Sequence, residues 1–154
     1  MELETEYDAA ELADELLYKT GRGLVEGNYD MFRPCFALPY LIETVCGRQL
    51  LETEAAFRAT FDSVRRHHRE NGVTDIARII VSADFLDDVT IGSTHATSLL
   101  QADGTVFRKP YPTYSVIRRI EGNWQIVSSI YAILDSPKHN RALSRSTLEM
   151  GDPG

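Results

Sequence analysis

Residues 75–134 read DIARIIVSADFLDDVTIGSTHATSLLQADGTVFRKPYPTYSVIRRIEGNWQIVSSIYAIL, and this stretch decides the fold. Three turn signals, Asp87-Asp88, Asp103-Gly104 and Glu121-Gly122, separate runs that are rich in Val, Ile, Thr, Tyr and Phe. Glycine accepts the positive φ of a two-residue hairpin turn, and β-branched and aromatic residues favour strands. The pattern predicts four antiparallel strands, over residues 77–86, 89–100, 105–120 and 124–134.

Two-residue turns would fix which side chains share a face, because side chains alternate along a strand. Ile80 would then lie opposite His95, and His95 would lie opposite Pro112. One face is mainly apolar with several hydroxyls, and we expect the helices to cover it, because a sheet buries its more apolar face. This face comprises Ala77, Ile79, Val81, Ala83, Phe85, Thr94, Ala96, Phe107, Tyr111, Thr113, Ser115 and Ile117, joined by Trp124, Ile126 and Ser128.

The opposite face mixes charged and apolar side chains, and it is too apolar for a surface that meets only water. We favour a homodimer through this face; scattered apolar residues on the surface of a monomer are the alternative. A three-residue turn over residues 121–123 would also move Trp124 to this side. The expected interface residues are Ile80, Asp84, Ile91, His95, Tyr114, Val116 and Tyr131.

The first half of the chain predicts helices and one hairpin that pack on the sheet. Asp8 and Thr53 have the side chains of helix N-caps, and Gly27 is suited to the end of a helix. Apolar residues recur at three- and four-residue spacing after each cap, as in an amphipathic helix. The predicted elements are a helix over residues 9–24, a short helix over 29–33, a hairpin over 40–52 and a long helix over 54–71.

Length and composition set limits on the class of protein. The 154 residues are enough for one domain with its own core, which we place at residues 1–135, before a polar, flexible tail at 136–154. A net charge of −7 argues against nucleic-acid binding. Cys35 and Cys46 lack metal-ligand spacing, so we expect reduced thiols, no metal and no cofactor. Without an apolar signal core or membrane-length run, we expect a soluble cytoplasmic protein that binds no membrane.

The order of the predicted elements resembles that of the NTF2-like superfamily, and most closely its SnoaL-like and ketosteroid-isomerase-like small proteins. The residues that carry the likeness are GNYDMF at 27–32, CFA at 35–37 and the segment 115–128. The resemblance covers about residues 8–134. It implies an α+β, cone-shaped, cystatin-like fold, in which a curved antiparallel sheet wraps a long helix and leaves an internal pocket, commonly within a dimer.

The resemblance leaves the function open, because this superfamily contains isomerases, dehydratases, cyclases and epoxide hydrolases as well as non-catalytic binding modules. Many members carry an acidic pair directly after the Phe-Ala of the hairpin entry. Leu38 and Pro39 occupy those positions here. This departure argues against transferring carboxylate chemistry to the chain.

Aromatic and hydroxyl side chains are expected to line the pocket, which would suit a small apolar or ring-shaped ligand. Each aromatic residue taken alone is equally explained as part of the core. The predicted pocket residues are Tyr18, Phe32, Tyr40, Phe57, Phe61, Thr94, Tyr111, Thr113, Ser115, Trp124 and Ser128.

An enzyme in this pocket would need a general base and a donor that stabilises developing negative charge. The candidate bases are His68, on the buried side of the long helix, and Asp30 and Glu43, near the expected mouth. Tyr40 or Tyr111 could act as the donor. Each candidate base also has a structural explanation, as a core-edge histidine or a solvated or capping carboxylate.

Asp84, His95 and Tyr114 share the outer face in the predicted register, but Asp84 and His95 would lie about 13 Å apart at ~3.3 Å per residue. Three functions therefore remain. The first is a small-molecule-binding protein without catalysis, and the second is a cofactor-independent lyase or isomerase of SnoaL-like or dehydratase type. The third is a structural dimerisation module whose pocket is filled by its own side chains.

Overall fold

The computed structural model describes residues 8–134 and 136–144, which form four α-helices, one turn of 3-10 helix and a six-stranded sheet. The helices are α1 (Ala9–Glu26), α2 (Tyr29–Phe32), α3 (Glu54–Glu70) and α4 (Pro137–Leu143), and the 3-10 turn is Arg33–Cys35. The strands are β1 (Phe36–Thr44), β2 (Gly47–Leu51), β3 (Val73–Asp87), β4 (Thr90–Gln101), β5 (Tyr111–Ile120) and β6 (Asn123–Tyr131).

The strands form one curved, open sheet in the order β2-β1-β6-β5-β4-β3. Neighbouring strands are antiparallel except for β1 and β6, which pair in parallel. Helices α1 and α3 pack against the concave face of the sheet, and α4 packs against α3. The predicted α+β class, with a sheet wrapped around a long helix, is confirmed.

The helices begin and end where their capping residues predict. The Asp8 carboxylate accepts a hydrogen bond from the backbone N–H of Glu11, whose own side chain accepts one from the Asp8 N–H. Thr53 caps α3 through the Ala56 N–H. Gly27 ends α1 with a φ of 73°, a left-handed conformation that glycine adopts without strain.

The link between β4 and β5 differs from the prediction of a two-residue turn at Asp103-Gly104. The strands are joined instead by residues 102–110, which include a proline and only one isolated bridge to β4. This longer link shifts the register by one residue, so that His95 lies opposite Thr113 and not opposite Pro112. A shift of one residue reverses the faces of one strand relative to the other.

The predicted faces of β4 and of the first half of β3 are therefore wrong, whereas those of β5 are right. Ile79 and Val81, expected under the helices, are 70% and 64% exposed on the outer face. Their inward neighbours include Arg78 and Ile80. The helices thus cover the face of this hairpin that carries Arg78 and His95.

A bulge beside Val81 restores the predicted faces in the second half of β3. Ala83 lies on the inner face, opposite Ser93, and Asp84 lies on the outer face, as predicted.

The last hairpin has the predicted two-residue turn, and it also contains a bulge in β6. Ile120 pairs with Asn123 across the two-residue turn Glu121-Gly122, in which both residues have positive φ. An extra residue, Val127, interrupts the pairing with β5, because Ile117 lies opposite Ile126 but Val116 lies opposite Ser128. Ile126 and Ser129 consequently face the core, while Ser128 moves to the outer face.

The predicted flexible tail contains an ordered helix. Ser136 caps α4, which buries His139, Asn140, Ala142 and Leu143 against the rest of the fold. The Asn140 amide donates to the Ile133 carbonyl oxygen at 3.0 Å, and Ser63 Oγ of α3 donates to the Ala142 carbonyl oxygen at 2.8 Å. The helical turn expected near residues 143–150 lies mostly outside the described residues.

Candidate functional site

A cavity of about 80 Å³ lies between the helices and the concave face of the sheet. It is smaller than the typical 300–1,000 Å³ of a site for a drug-sized molecule, and about half of an engineered 150 Å³ protein cavity that binds benzene. A ligand of this cavity is therefore small, of about the size of a short branched chain.

The helix side of the cavity is mainly apolar, although Thr20, Thr60 and His68 also line it. Helix α3 contributes Phe57, Phe61 and Val64, which recur at the spacing that places residues on one face of a helix. The Phe61 ring packs against Phe32 with a centroid distance of 4.8 Å, and the Phe57 ring packs against Phe36 at 5.1 Å. We call the apolar lining residues of α1, α2 and α3 the helix wall: Ala13, Leu16, Leu17, Leu24, Phe32, Phe57, Phe61 and Val64.

The sheet side of the cavity carries most of the polar lining residues, which are interspersed with apolar strand residues such as Ile42, Ile117 and Ile126. We call the polar residues the sheet wall: Arg78, Ser93, His95, Tyr111, Ser115, Ser129 and Tyr131.

One row of the sheet wall crosses the sheet as Ser93, Ser115 and Ser129, each opposite the next. Tyr40 of β1 extends this row, since its hydroxyl donates to Ser129 Oγ at 2.8 Å, and Ser129 Oγ lies 3.1 Å from Ser115 Oγ. Tyr40, Ser129 and Ser115 thus form a connected line of hydroxyl groups.

A second row contains His95 and Tyr131, which lie on either side of Thr113 on adjacent strands. His95 is buried, and its partner on β3 is Ile80. The Thr113 hydroxyl is also buried, and it has no hydrogen-bond partner among the described residues. This row therefore brings an imidazole and a phenol to the cavity, with an unsatisfied hydroxyl between them.

A third row contains Arg78, Thr97 and Tyr111. The Arg78 guanidinium reaches from β3 to helix α1, where Nη1 lies 2.7 Å from Thr20 Oγ1 and 3.5 Å from the Leu17 carbonyl oxygen. Its Nε is buried and has no hydrogen-bond partner in the part of the chain that the structure describes. The row thus carries a guanidinium with donor capacity that the fold leaves unused.

One end of the cavity is closed by histidines from α3 and α4. His68 and His139 line it, and the His139 ring stacks on His67 with a centroid distance of 4.8 Å. Arg108 Nη1 lies 3.3 Å from His139 Nδ1, which favours the tautomer that accepts from the arginine. The Tyr111 ring meets the His139 ring edge-on at 5.3 Å. All four histidines of the chain are buried at or beside the cavity.

Burial sets the charge state of these groups. It is the main cause that lowers the pKa of His68 and of His95 to about 3, and that of His139 to about 2. Burial also raises the pKa of the Tyr40 and Tyr111 phenols. At neutral pH the cavity therefore holds neutral imidazoles and protonated phenols, and its formal charge comes from Arg78.

The structure places six of the eleven predicted pocket residues on the cavity: Phe32, Tyr40, Phe57, Phe61, Tyr111 and Ser115. Thr113 faces inward beside it. Tyr18 is 65% exposed, and Trp124 borders a separate surface groove. Thr94 and Ser128 lie on the outer face, because the β4–β5 link and the β6 bulge shift their registers.

Of the candidate bases, only His68 lines the cavity. Asp30 is exposed and borders the same surface groove as Trp124. Glu43 lies on the β1–β2 hairpin, where its carboxylate is 3.2 Å from Arg48 Nε. Two of the three predicted bases are therefore outside the site.

The predicted interface residues divide between the two faces of the sheet. Ile91 is fully buried in the core, and His95 and Tyr131 line the cavity. Ile80 is half-buried on the inner face, because it pairs with His95 in the observed register. The outer face receives the remaining three, Asp84, Tyr114 and Val116.

Sequence reasoning missed Arg78, Ser93, Ser129 and His139 as cavity residues. The first two lay on the face assigned to solvent or a partner, and His139 lay in the predicted tail. A signal was present, because a proline rarely lies within a continuous strand, and Pro110 interrupts the predicted strand over residues 105–120. A predicted strand that began after Pro110 would have been incompatible with the two-residue turn on which the predicted register depended.

Neither a metal centre nor a membrane span is found in residues 8–134 and 136–144. No three His, Cys, Asp or Glu side chains in these residues are grouped so that they could hold a metal ion. No helix of this part of the chain is long and apolar enough to cross a membrane.

Comparison with solved structures identifies the fold. An NTF-2 like protein of unknown function from Shewanella oneidensis MR-1 matches with a TM-score of 0.64 at 9% identity, over 80% of this chain and 98% of its own. An NTF2-like protein with a cystatin-like fold from Novosphingobium aromaticivorans matches with a TM-score of 0.63 at 19% identity, over 88% of each chain. A domain of unknown function with a cystatin-like fold from Nostoc punctiforme gives 0.62 at 11% identity, over 88% and 83%.

The chain therefore has the NTF2-like, cystatin-like fold that the sequence resemblance implied. No family model and no curated protein matches the sequence. At these identities the structural likeness identifies the fold alone, and the function has to be argued from the cavity.

Proposed function

We propose that the protein binds a small, largely apolar molecule in the cavity between the helix wall and the sheet wall. The observation that carries the proposal is the two-sided lining. The helices contribute mainly aromatic and aliphatic side chains, whereas the strands add hydroxyls, an imidazole and a guanidinium among their own apolar side chains. Ligand sites combine a mainly apolar surface with a few polar groups that fix orientation. Stability alone does not favour so many polar groups in a core, because burial of a polar group costs free energy unless it is hydrogen-bonded.

The test is binding of small fragments, measured by ligand-observed NMR, to the wild type and to a variant with a filled cavity. Val64→Phe should abolish binding, because the added ring occupies most of the 80 Å³. Val45→Phe, at an exposed position of the β1–β2 turn, is the matched control and should bind like the wild type. Equal binding to Val64→Phe and the wild type would refute the proposal.

A cofactor-independent lyase or isomerase is the second candidate, because three imidazoles line the cavity. Imidazoles whose pKa lies near 3 are weak bases at neutral pH, whereas the Tyr40 and Tyr111 phenols retain the proton that a donor needs. Incubation with cyclopentanone in D₂O distinguishes the two functions. A binding protein leaves the exchange of the α-hydrogens unchanged, and an enzyme accelerates it in a way that His95→Gln removes.

We further propose that two copies associate through the outer face of the sheet, where Ile79, Val81, Tyr114 and Ile130 expose apolar surface. Light scattering after size exclusion should give a dimer for the wild type and a monomer for Ile79→Lys, because the lysine would place a charge in the interface. Leu50→Lys, on edge strand β2, is the control and should remain dimeric. A cytoplasmic location also stays a prediction.

A further inference from the structure

Arg78 lines the cavity, and its hydrogen bonds are incomplete. Its guanidinium is held by a hydroxyl and a main-chain carbonyl of α1, both neutral, and its buried Nε has no partner among the described residues. A guanidinium presents its donors in a planar fork that matches a carboxylate.

No carboxylate of the described residues neutralises this charge. The acidic residue nearest in sequence on the same strand, Asp75, pairs with Arg22 at 3.3 Å. No aspartate or glutamate in the described part of the chain lines the cavity. Burial of an unpaired charge is costly, and such a charge is usually paired or neutralised.

The surroundings of the cavity are positive although the whole chain has a net charge of −7. The charged side chains that act on the His68 imidazole are Arg78, Arg65 and Arg108, and Arg78 acts on His95. Fixed charges of one sign in a desolvated cavity favour a ligand of the opposite sign. The charges around the cavity are therefore opposite in sign to the net charge of the chain.

We infer that the ligand is a small monocarboxylate whose anionic group binds the Arg78 guanidinium, while its alkyl part packs against Phe57 and Phe61. This inference rests on the proposed function and adds the charge and orientation of the ligand. The cavity volume limits the ligand to the size of a short-chain or short branched-chain acid. A carboxylate fits better than a phosphate, since one guanidinium matches one carboxylate and a dianion would need further charged donors.

The test compares carboxylates with amides of the same shape, so that only charge differs. Isobutyrate and isobutyramide form one pair, and propionate and propionamide form the other, each titrated into the wild type by calorimetry and ligand-observed NMR. We expect at least one carboxylate to bind about tenfold or more tightly than its amide, as a charged hydrogen-bonded pair commonly gives. Arg78→Met should remove this preference and keep the weaker amide binding.

Arg66→Met is the matched control, because it removes one positive charge from an exposed position of α3. It should keep the carboxylate preference. If circular dichroism shows that Arg78→Met does not fold, Arg78→Gln takes its place, because glutamine removes the charge and keeps a polar side chain. The wild-type comparison itself needs no variant.

The outcomes distinguish the inference about the ligand's charge from the proposed binding function. Equal binding of carboxylate and amide to the wild type would overturn the inference about charge and leave the proposed binding function intact. A carboxylate preference that survives in both Arg78 variants would also overturn it. The absence of binding by any of the four probes would overturn the inference and the proposed function together.

Discussion

The two walls of the cavity differ in the side chains that they present. The helix wall presents aromatic and aliphatic side chains that pack against one another, as the Phe61–Phe32 and Phe57–Phe32 contacts show. The sheet wall presents three cross-strand rows of hydroxyl, imidazole and guanidinium groups. The helix wall contributes mainly to stability through burial, whereas the sheet wall keeps polar groups buried at a cost.

This difference indicates where the function lies. Groups that stability alone would not favour are concentrated on one side of an enclosed space, with the Thr113 hydroxyl and Arg78 Nε unsatisfied by the described residues. Buried polar atoms without partners are uncommon in folded proteins, and each calls for an explanation. A ligand that completes these contacts is the explanation that we propose.

The largest expected effect is acid unfolding, because the histidines at the cavity are neutral only while buried. Unfolding restores an ordinary pKa near 6.5, so the unfolded state takes up protons first as the pH falls from about 6.5 toward 3, and stability is lost over that range. Protonation of each of His68, His95 and His139 in the unfolded state lowers the free energy of unfolding by up to about 1.4 kcal/mol per pH unit below 6.5. The three together lower it by about 4 kcal/mol per pH unit. A domain stability of about 5 kcal/mol, the low end of the usual range, would then be exhausted near pH 5.

Trp124 fluorescence and near-UV circular dichroism followed against pH would show this transition. His68→Leu should move the midpoint to lower pH, because one of the three protonation sites is gone and its unpartnered Nε2 is removed. A protein that stays folded at pH 4, with histidine NMR signals that titrate near 6.5, would contradict the burial of these residues.

The next effect concerns the helix wall. Phe61→Ala should lower the free energy of unfolding by about 3–5 kcal/mol, because a buried ring that contacts Tyr29 and Phe32 is replaced by a void. Urea denaturation measures the change. Tyr18→Ala, at an exposed position of α1, is the control and should change stability by less than about 0.5 kcal/mol. A loss below 1 kcal/mol for Phe61→Ala would mean that the wall is not packed as described.

A smaller effect is expected on the sheet wall from Tyr40→Phe, which removes one hydroxyl from the serine row. Ser129 keeps its contact with Ser115, so the expected loss is about 1 kcal/mol in urea denaturation. Tyr18→Phe is the matched change at the surface and should leave stability unaltered. A loss above about 3 kcal/mol would indicate that the hydroxyl is part of the structural core, against the distinction between the walls.

The smallest effect on stability is expected from Arg78→Met, although this variant should lose carboxylate binding. The substitution removes a partly buried charge without a carboxylate partner, so the free energy of unfolding should stay within about 0.5 kcal/mol of the wild type or rise. Arg33→Met is the contrast, because Arg33 contacts Glu54 at 2.9 Å and the Phe36 carbonyl oxygen at 2.8 Å. Equal destabilisation by both substitutions would assign Arg78 a structural role.

The helix wall was predictable from sequence because its signal is local. The three- and four-residue spacing of Phe57, Phe61 and Val64 identifies the buried face of α3 without reference to the sheet. Capping residues such as Asp8 and Thr53 located the helix starts for the same reason. Errors elsewhere in the chain do not change which side of a helix is apolar.

The sheet wall was less predictable because a strand has a period of two, so each face depends on every preceding turn. One misplaced turn at Asp103-Gly104 reversed the predicted faces of β4 and of the first half of β3, and it placed Arg78 and His95 on the wrong side. Because of the bulge at Val127, Ser129 lies on the inner face, where Ser128 was predicted. Helix α4 was missed because its polar sequence gives no amphipathic signal, and it is held instead by side-chain hydrogen bonds of Asn140 and Ser63.

The most direct test is a crystal structure of the protein grown with isobutyrate, with the electron density examined between Arg78 and Phe61. The account predicts the carboxylate at the Arg78 guanidinium and the methyl groups against the Phe57 and Phe61 rings. Isobutyrate in the surface groove beside Asp30 and Trp124 would contradict it. A cavity closed by its own side chains would contradict it equally and favour a structural role for the fold.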